Sequence, residues 1–206
     1  MFVTLEGPEG AGKTTVLARL AARLEEQGHD VFMTREPGEG ELGAAVRQAL
    51  LHGGALEPLT ELFLFLADRA EHVAKAIRPA LARGEVVLCD RFSDSTVVYQ
   101  GYARGLNVDQ VRELNTLATG GLKPDLTLLL DVDASVGTTR AGGKDRLDKE
   151  PLEFHEKVRA GFLTEAKREE GRWRIVDASK GLDDVVQVCW ELVSTHQTLT
   201  GSPPIR

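Results

Sequence analysis

One glycine-rich stretch, GPEGAGKTT at residues 7–15, constrains the fold of this chain more than any other feature. It fits the phosphate-binding pattern G-x-x-x-x-G-K-[ST], with Lys13 and Thr14 at the last two positions. The apolar segment before it, residues 2–5, predicts a short buried strand. Apolar residues at i, i+3, i+4 and i+7 follow it and predict a helix that ends at Gly28. The chain therefore begins as a strand, a loop and a helix.

In that context the loop predicts binding of a nucleoside triphosphate. Glycines let the backbone curl so that N–H groups and the positive end of the helix dipole point at one anion. Lys13 is expected to reach the β- and γ-phosphates, and the Thr14 hydroxyl to bind Mg²⁺. The alternative is a glycine-rich turn without a ligand, which the complete motif in this context disfavours. The predicted triphosphate-binding residues are Gly7, Pro8, Glu9, Gly10, Ala11, Gly12, Lys13, Thr14 and Thr15.

The rest of the chain alternates predicted strands with predicted helices. Four further apolar segments predict strands at residues 31–34, 86–88, 126–132 and 173–176. Helices are predicted at about residues 42–50, 59–83, 108–118, 154–170 and 182–194. Pro79 is expected to kink or shorten the second of these helices near its end. A polar, glycine-bearing stretch, residues 93–105, connects the third strand to the next helix. This order indicates an α/β fold, a doubly wound five-stranded parallel sheet with helices on both faces, of the P-loop NTPase type.

Composition narrows the class of protein and its partners. With 42% hydrophobic and 28% charged residues, the chain is expected to be a soluble globular protein. Its net charge of −7 argues against a nucleic-acid or membrane partner held by bulk electrostatics. No signal segment or apolar run of transmembrane length is seen, so a cytoplasmic location is expected. Cys89 and Cys189 are expected to be packed thiols, and the scattered histidines suggest no structural metal.

Two pairs of residues predict further chemistry. Asp90 and Arg91 follow the third strand, where a carboxylate could hold Mg²⁺ through water and a guanidinium could clamp a phosphate acceptor. The alternative for this pair is an ion pair at a strand end. Phe65 and Arg69 lie four residues apart on one helix face, and an aromatic plane beside a donor fork suits a planar base with carbonyl oxygens. A core position is the alternative for Phe65.

Six motifs in this order resemble those of the bacterial thymidylate kinase family. They are GPEGAGKTT, TREPG, FLFLADR, CDRFSDSTVVYQG, KPDLTLLLDVD and IVDAS, and they cover residues 1 to about 190. The resemblance implies a homodimeric kinase that uses ATP and Mg²⁺ to convert dTMP to dTDP, with ADP as the other product, for dTTP synthesis. It also implies one P-loop kinase domain at residues 1–195, with a lid at about residues 140–151. Residues 196–206 are expected to form a frayed tail.

The same resemblance implies an acceptor site for dTMP. Phe65 matches the ring on which thymine stacks, Arg69 the donor to its O4, and Tyr99 the ring that disfavours a ribose 2′-hydroxyl. Cytosine would present an amino group to the Arg69 fork, so that two donors would face each other. The full set of expected dTMP-binding residues is Glu36, Arg47, Phe65, Arg69, Arg91, Thr96, Tyr99 and Gln100.

The resemblance implies catalytic residues as well. Lys13 and Arg91 are expected to hold phosphates, and Glu9 to lie near the deoxyribose 3′-hydroxyl. Members of the family without an arginine inside the phosphate loop take the catalytic positive charge from the lid, and this chain has Gly10 at that position. The lid candidates are Arg140, Lys144 and Arg146, and the choice among them stays open. A solvated charged loop is the alternative for all three.

Three other functions fit part of the sequence. One is a kinase for another pyrimidine monophosphate, against which Arg69 and Gln100 argue. The second is a P-loop regulator whose ATP hydrolysis changes a partner's conformation, and the third is a nucleotide-binding subunit active only in a complex. ADP release that depends on an added monophosphate would separate the enzyme from the last two.

Overall fold

The computed structural model describes residues 1–143 and 145–199, and these form one five-stranded, all-parallel sheet. The spatial order of the strands is β2-β3-β1-β4-β5. The strands are β1 (Phe2–Glu6), β2 (Val31–Arg35), β3 (Val86–Asp90), β4 (Leu126–Asp131) and β5 (Trp173–Asp177). All five predicted strands are thus confirmed, each within two residues of its predicted ends.

Helices cover both faces of the sheet. They are α1 (Lys13–Glu26), α2 (Gly40–His52), α3 (Pro58–His72), α4 (Arg78–Ala82), α5 (Ser93–Thr96), α6 (Val108–Thr119), α7 (Ala134–Ala141), α8 (Leu152–Arg168) and α9 (Leu182–Leu199). Two π-helical segments, Val73–Ile77 and Val97–Ala103, follow α3 and α5. In the part of the chain that the structure describes, no helix is long and apolar enough to cross a membrane.

Alternation along the strands explains why both faces are covered. Leu128 and Leu130 of β4 pack in the same core cluster as apolar residues of α1 and α9. Leu129, between them, packs with Val158 and Phe162 of α8 on the other face. Successive side chains of a strand point to opposite faces, so an uninterrupted apolar strand needs a helical layer on each side. The predicted doubly wound α/β fold is therefore confirmed.

The stretch after β3 differs from the predicted connection. Instead of a polar connection, residues 93–103 form α5 and a π-helical segment. The apolar residues Val97, Val98 and Tyr99 are buried there. Their burial stabilises helical structure that local polarity and glycine content do not favour.

Three other helical features were not anticipated in detail. Helix α7 begins after Asp133, whose side chain accepts a hydrogen bond from the Ser135 N–H at 3.0 Å. The π-helical segment Val73–Ile77 precedes Pro79, which has no N–H to donate to the carbonyl four residues earlier, so the helix widens near its predicted kink. Helix α9 continues to Leu199, so the first residues of the predicted tail are helical. Residues 200–206 and Lys144 lie outside the described residues.

Both cysteines are buried free thiols, as the sequence analysis predicts. Burial raises the pKa of the Cys189 thiol to about 12 and that of Cys89 well above its usual range. The reactive form of cysteine is the thiolate, so both side chains are protected by inaccessibility and by protonation.

We therefore expect the folded protein to show no rapid reaction with a disulfide reagent such as DTNB near neutral pH. In guanidinium chloride both thiols should react at the rate of a small-molecule thiol. The measurement is absorbance of the released thiolate over time, before and after unfolding. One thiol reacting rapidly in the folded protein would contradict the burial of that side chain.

Candidate active site

A cavity of about 460 Å³ opens at the carboxyl end of the sheet. Ligands bind at this edge of parallel sheets, because the loops after the strands meet there. All the residues expected to bind dTMP line it: Glu36, Arg47, Phe65, Arg69, Arg91, Thr96, Tyr99 and Gln100. So do the loop residues Glu9, Gly10, Gly12, Lys13, Thr14 and Thr15, together with Asp90 and Arg140. Two predicted sites, one for each substrate, thus share one cavity.

The phosphate-binding loop has a backbone that requires glycine. Gly7 has φ +144°, and a Cβ there would lie 2.4 Å from the carbonyl oxygen of Leu130 in β4. The carbonyls of Gly7 and Pro8 accept hydrogen bonds from Lys13 Nζ at 3.0 and 2.7 Å. Gly7, Pro8 and the buried Ala11 therefore shape the loop without lining the cavity. Burial and the charge of Arg91 lower the pKa of Lys13 to about 8.

The start of α1 meets the end of β3 through one short hydrogen bond. Thr14 Oγ1 donates to Asp90 Oδ2 at 2.5 Å. The pairing of Leu5 with Asp90 in the parallel register of β1 and β3 sets this contact, since the loop starts two residues after Leu5. A hydroxyl and a carboxylate are the hard oxygen ligands that Mg²⁺ prefers, so the two residues fit the role predicted for them.

Arg91 connects the loop to the acceptor side of the cavity, the part lined by the residues expected to bind dTMP. Its Nη2 donates to Glu9 Oε2 at 2.6 Å and its Nη1 to the Gly7 carbonyl at 3.1 Å. The Tyr99 hydroxyl donates to the other Glu9 oxygen at 2.6 Å, and the Arg91 guanidinium lies 5.1 Å from the Tyr99 ring centroid. Burial acts to raise the pKa of Glu9, but the charges of Arg91 and Lys13 and the Tyr99 hydrogen bond outweigh it, lowering that pKa to about 2.

The guanidinium of Arg69 is mostly held by the protein. Its Nε donates to Glu36 Oε2 at 2.8 Å, and its Nη2 lies 2.7 Å from the same oxygen in an ion pair. Its Nη1 donates to Thr96 Oγ1 at 2.9 Å and to Asn115 Oδ1 at 2.7 Å. His72 Nδ1 lies 2.8 Å from the second Glu36 oxygen. A guanidinium has five N–H donors; three of them make these hydrogen bonds and, together with the ion pair, they fix the plane of the group.

Phe65 and Gln100 lie on neighbouring walls of the acceptor side. Phe65 is half-buried, with part of its side chain packed against the core and part lining the cavity. Gln100 Nε2 donates to the buried carboxylate of Glu61 at 2.8 Å. Because Glu61 accepts from the amide nitrogen, the Gln100 carbonyl oxygen is the end directed away from that contact.

The lid candidates occupy different places. Arg140 lines the cavity, and its Nη1 donates to the Ala178 carbonyl at 3.0 Å. Arg146 lies outside the lining: it forms an ion pair with Glu61, and its Nε donates to the Leu50 carbonyl at 2.9 Å. Through Leu50 and Glu61, Arg146 holds the predicted lid segment against α2 and α3. Its catalytic role therefore gains no support from its position, whereas that of Arg140 does.

The phosphate-binding loop packs so closely against α7 that there is no room for a side chain at residue 10. A Cβ on Gly10 would lie 2.0 Å from the Gly137 carbonyl oxygen and 3.0 Å from Arg140 Cβ. A Cβ on Gly137 would in turn lie 2.4 Å from the Glu9 carbonyl oxygen. The backbones of the loop and α7 therefore touch directly, and Arg140 follows one helical turn after that contact.

Several residues in or under the site were not predicted. Ser95 and Arg35 line the cavity, and Glu6 lies buried beneath it. Each of the three lies inside or directly before one of the six motifs, and the sequence gives no other indication that they belong to the site. Their contacts come from strand pairing and from the unanticipated helix α5, so spacing alone does not reveal their roles.

The Glu6 carboxyl has a raised pKa. Burial and the charge of Asp94 raise its pKa to about 7, against hydrogen bonds from Ser95 and Phe92 and the charge of Arg91. A carboxyl with such a pKa under a charged cavity is a candidate for a functional group.

Comparisons with known proteins agree with this geometry. The family model described as thymidylate kinase matches residues 5–188. A thymidylate kinase from Synechococcus sp. (strain JA-3-3Ab) is 54% identical over 193 residues, covering 94% of this chain and 95% of the relative. One from Deinococcus radiodurans is 50% identical over 198 residues, covering 94% and 96%. A crystal structure of thymidylate kinase from Ehrlichia chaffeensis matches with a TM-score of 0.79 and 35% identity, covering 94% of this chain and 98% of that one.

The predicted family is thus confirmed over nearly the whole chain by sequence and by structure. This chain belongs to the thymidylate kinase family of ATP-dependent nucleoside monophosphate kinases.

Proposed function

We propose that this chain transfers the γ-phosphoryl group of ATP to the phosphate of dTMP, giving dTDP and ADP for dTTP synthesis. The observation that carries the proposal is the shared cavity, in which the phosphate-binding loop faces a pocket lined by Phe65, Arg69, Tyr99 and Gln100. A P-loop regulator or a nucleotide-binding subunit gives those four residues no common purpose. The family membership supports the same reaction.

The polar groups of the pocket support thymine as the base. Phe65 offers an apolar plane for stacking. An N–H of Arg69 Nη2, which forms an ion pair but no hydrogen bond with Glu36, matches the thymine O4 acceptor. The Gln100 carbonyl oxygen matches the N3–H donor. Cytosine has an amino donor and a bare N3 at these positions, so both contacts would be lost and buried polar groups left unpaired.

The chemistry requires positioning and charge neutralisation rather than a general base. The acceptor oxygen belongs to a phosphate that is already anionic near neutral pH. Lys13 and Arg91 line the cavity and both act electrostatically on Glu9, and Arg140 adds a third cation from the lid. Together they would reduce repulsion between two polyanions and hold them in line. Closure of the lid would exclude water that otherwise hydrolyses ATP.

Mg²⁺ is the proposed cofactor. Thr14 would hold the ion directly and Asp90 through water, because their oxygens already meet at 2.5 Å. The bound ion supplies positive charge to the β- and γ-phosphates of ATP.

The acceptor preference can be tested directly. Purified protein with ATP and Mg²⁺ is assayed for ADP formation with dTMP, dUMP, dCMP, UMP or no acceptor. We expect rapid ADP formation with dTMP, a weaker response to dUMP, little with dCMP or UMP, and none when EDTA removes Mg²⁺. Slow ADP formation whose rate does not change with any monophosphate would contradict the proposed kinase activity and favour a P-loop regulator.

The lid assignment predicts different losses for two arginines. Arg140→Ala should lower kcat about 100-fold, because one charge-stabilising donor is removed from the cavity, with a fall in Tm of no more than about 4 °C from the lost hydrogen bond to Ala178. Arg146→Ala should instead lower the free energy of unfolding by about 1–3 kcal/mol, because the buried Glu61 loses a partner. Steady-state kinetics and thermal unfolding measure the two effects. A kcat loss confined to Lys144→Ala would move the catalytic role to that residue.

The proposed enzyme is a cytoplasmic homodimer. Apolar side chains are exposed on three neighbouring helices: Leu42 on α2, Leu59 and Phe63 on α3, and Leu117 on α6, each at 47% or more. Leu59 and Phe63 are one helical turn apart, so they form one surface. Exposed apolar surface of this kind is typical of an interface between subunits.

The dimer is tested by charge placed on that surface. The double variant Leu59→Asp/Phe63→Asp should elute as a monomer in size-exclusion chromatography with light scattering, whereas the parent chain elutes as a dimer. Val188→Asp, at an exposed apolar position on α9, is the matched control and should stay dimeric. A monomeric parent chain, or a double variant that stays dimeric, would contradict this interface.

A further inference from the structure

Glu6 is a buried carboxylate that the proposed reaction does not use. It is the last residue of β1, its side chain is fully buried, and it does not line the cavity. Its Oε1 accepts a hydrogen bond from the Phe92 backbone N–H at 2.8 Å, and its Oε2 accepts one from the Ser95 hydroxyl at 2.6 Å. Burying a carboxylate costs free energy of folding, so a buried carboxylate beneath a charged site is a candidate for a functional role.

The backbone above Glu6 is strained. Arg91 has φ +69°, and among the described residues it is the one non-glycine residue with positive φ. Such a conformation persists only where the surrounding structure enforces it. The Arg91 N–H donates to the Leu5 carbonyl at 3.0 Å, and the next N–H, that of Phe92, donates to Glu6. The end of β1 therefore holds the turn on both sides of the Arg91 Cα.

Glu6 also reaches the Arg91 side chain through one hydroxyl. Because Ser95 donates its hydrogen to Glu6, its lone pairs are free to accept, and Arg91 Nη1 lies 3.2 Å from Ser95 Oγ. The guanidinium is thus supported by Ser95 on one edge and by Glu9 on the other. A carboxylate can accept both the backbone and the hydroxyl hydrogen, whereas an amide offers an acceptor on one side only.

We propose that Glu6 is a positioning residue for the acceptor phosphate: it fixes the backbone turn at Arg91 and, through Ser95, the direction of the Arg91 guanidinium. The inference rests on the proposed role of Arg91 in holding the dTMP phosphate. It assigns to Glu6 no contact with either substrate.

A double-mutant cycle tests whether Glu6 acts through Arg91. The variants are Glu6→Gln, Arg91→Ala and the combination of the two, and kcat and KM are measured for dTMP and for ATP. Glu6→Gln alone should lower kcat/KM for dTMP about 10-fold or more, with KM for ATP within about two-fold of the parent. In the Arg91→Ala background the same change should lower kcat/KM less than about two-fold further, because its target is already absent.

Glu165→Gln is the matched control. Glu165 is equally buried and accepts hydrogen bonds from Tyr102 and Arg168 at 2.9 and 3.0 Å, but neither it nor these partners line the cavity. It should keep the parent kcat/KM for dTMP, whatever the loss in Tm. If Glu6→Gln fails to fold, Ser95→Ala replaces it in the cycle, since it breaks the link between Glu6 and the guanidinium.

The outcomes separate the two proposals. An equal loss from Glu6→Gln in both backgrounds, or a parent-like kcat/KM in the single variant, would overturn the positioning role of Glu6. A parent-like kcat/KM in folded Arg91→Ala would instead overturn the proposed role of Arg91.

Discussion

Parallel pairing of β1 with β3 brings the phosphate-binding loop next to the turn that carries Asp90 and Arg91. Leu5 pairs with Asp90, so the residues that leave the two strands emerge side by side at one edge of the sheet. The Thr14–Asp90 hydrogen bond and the Arg91–Glu9 ion pair both depend on this register. A shift of either strand by one residue would exchange the faces of its side chains and separate the two halves of the site.

Most charged groups of the cavity are paired with protein partners. Lys13 donates to loop carbonyls, Arg91 pairs with Glu9, and Arg69 with Glu36. These contacts offset the cost of burying each cation and fix the direction of its side chain. Glu36 and Arg69 form the more deeply buried of the two ion pairs, so the wall of the cavity that they build is the more rigidly held.

The sequence was most informative where motifs follow strands. A complete phosphate-binding pattern and four more apolar segments were enough for the sheet, and the resemblance of the motifs to a known family added the dTMP-binding residues, all of which line the cavity. The partners of Arg69 were not predictable, because Thr96 and Asn115 belong to helices that lie far from it in the chain. Ser95 was missed for a related reason, since α5 is stabilised by tertiary burial and not by its own polar sequence. Arg146 could not be distinguished from Arg140 by composition, because what separates them is the buried carboxylate of Glu61.

The contact between Gly10 and Gly137 has a consequence for how such a site can change. The backbone of α7 fills the space that a side chain at residue 10 would need, since even a methyl group there would overlap the Gly137 carbonyl. A side chain in the loop would displace α7, and Arg140 would move with it. A side chain at position 10 and helix α7 in its present place are therefore sterically exclusive. The loop can carry such a side chain only in a molecule whose α7 lies elsewhere, so the residue at position 10 and the place of Arg140 are coupled through the backbone of Gly137.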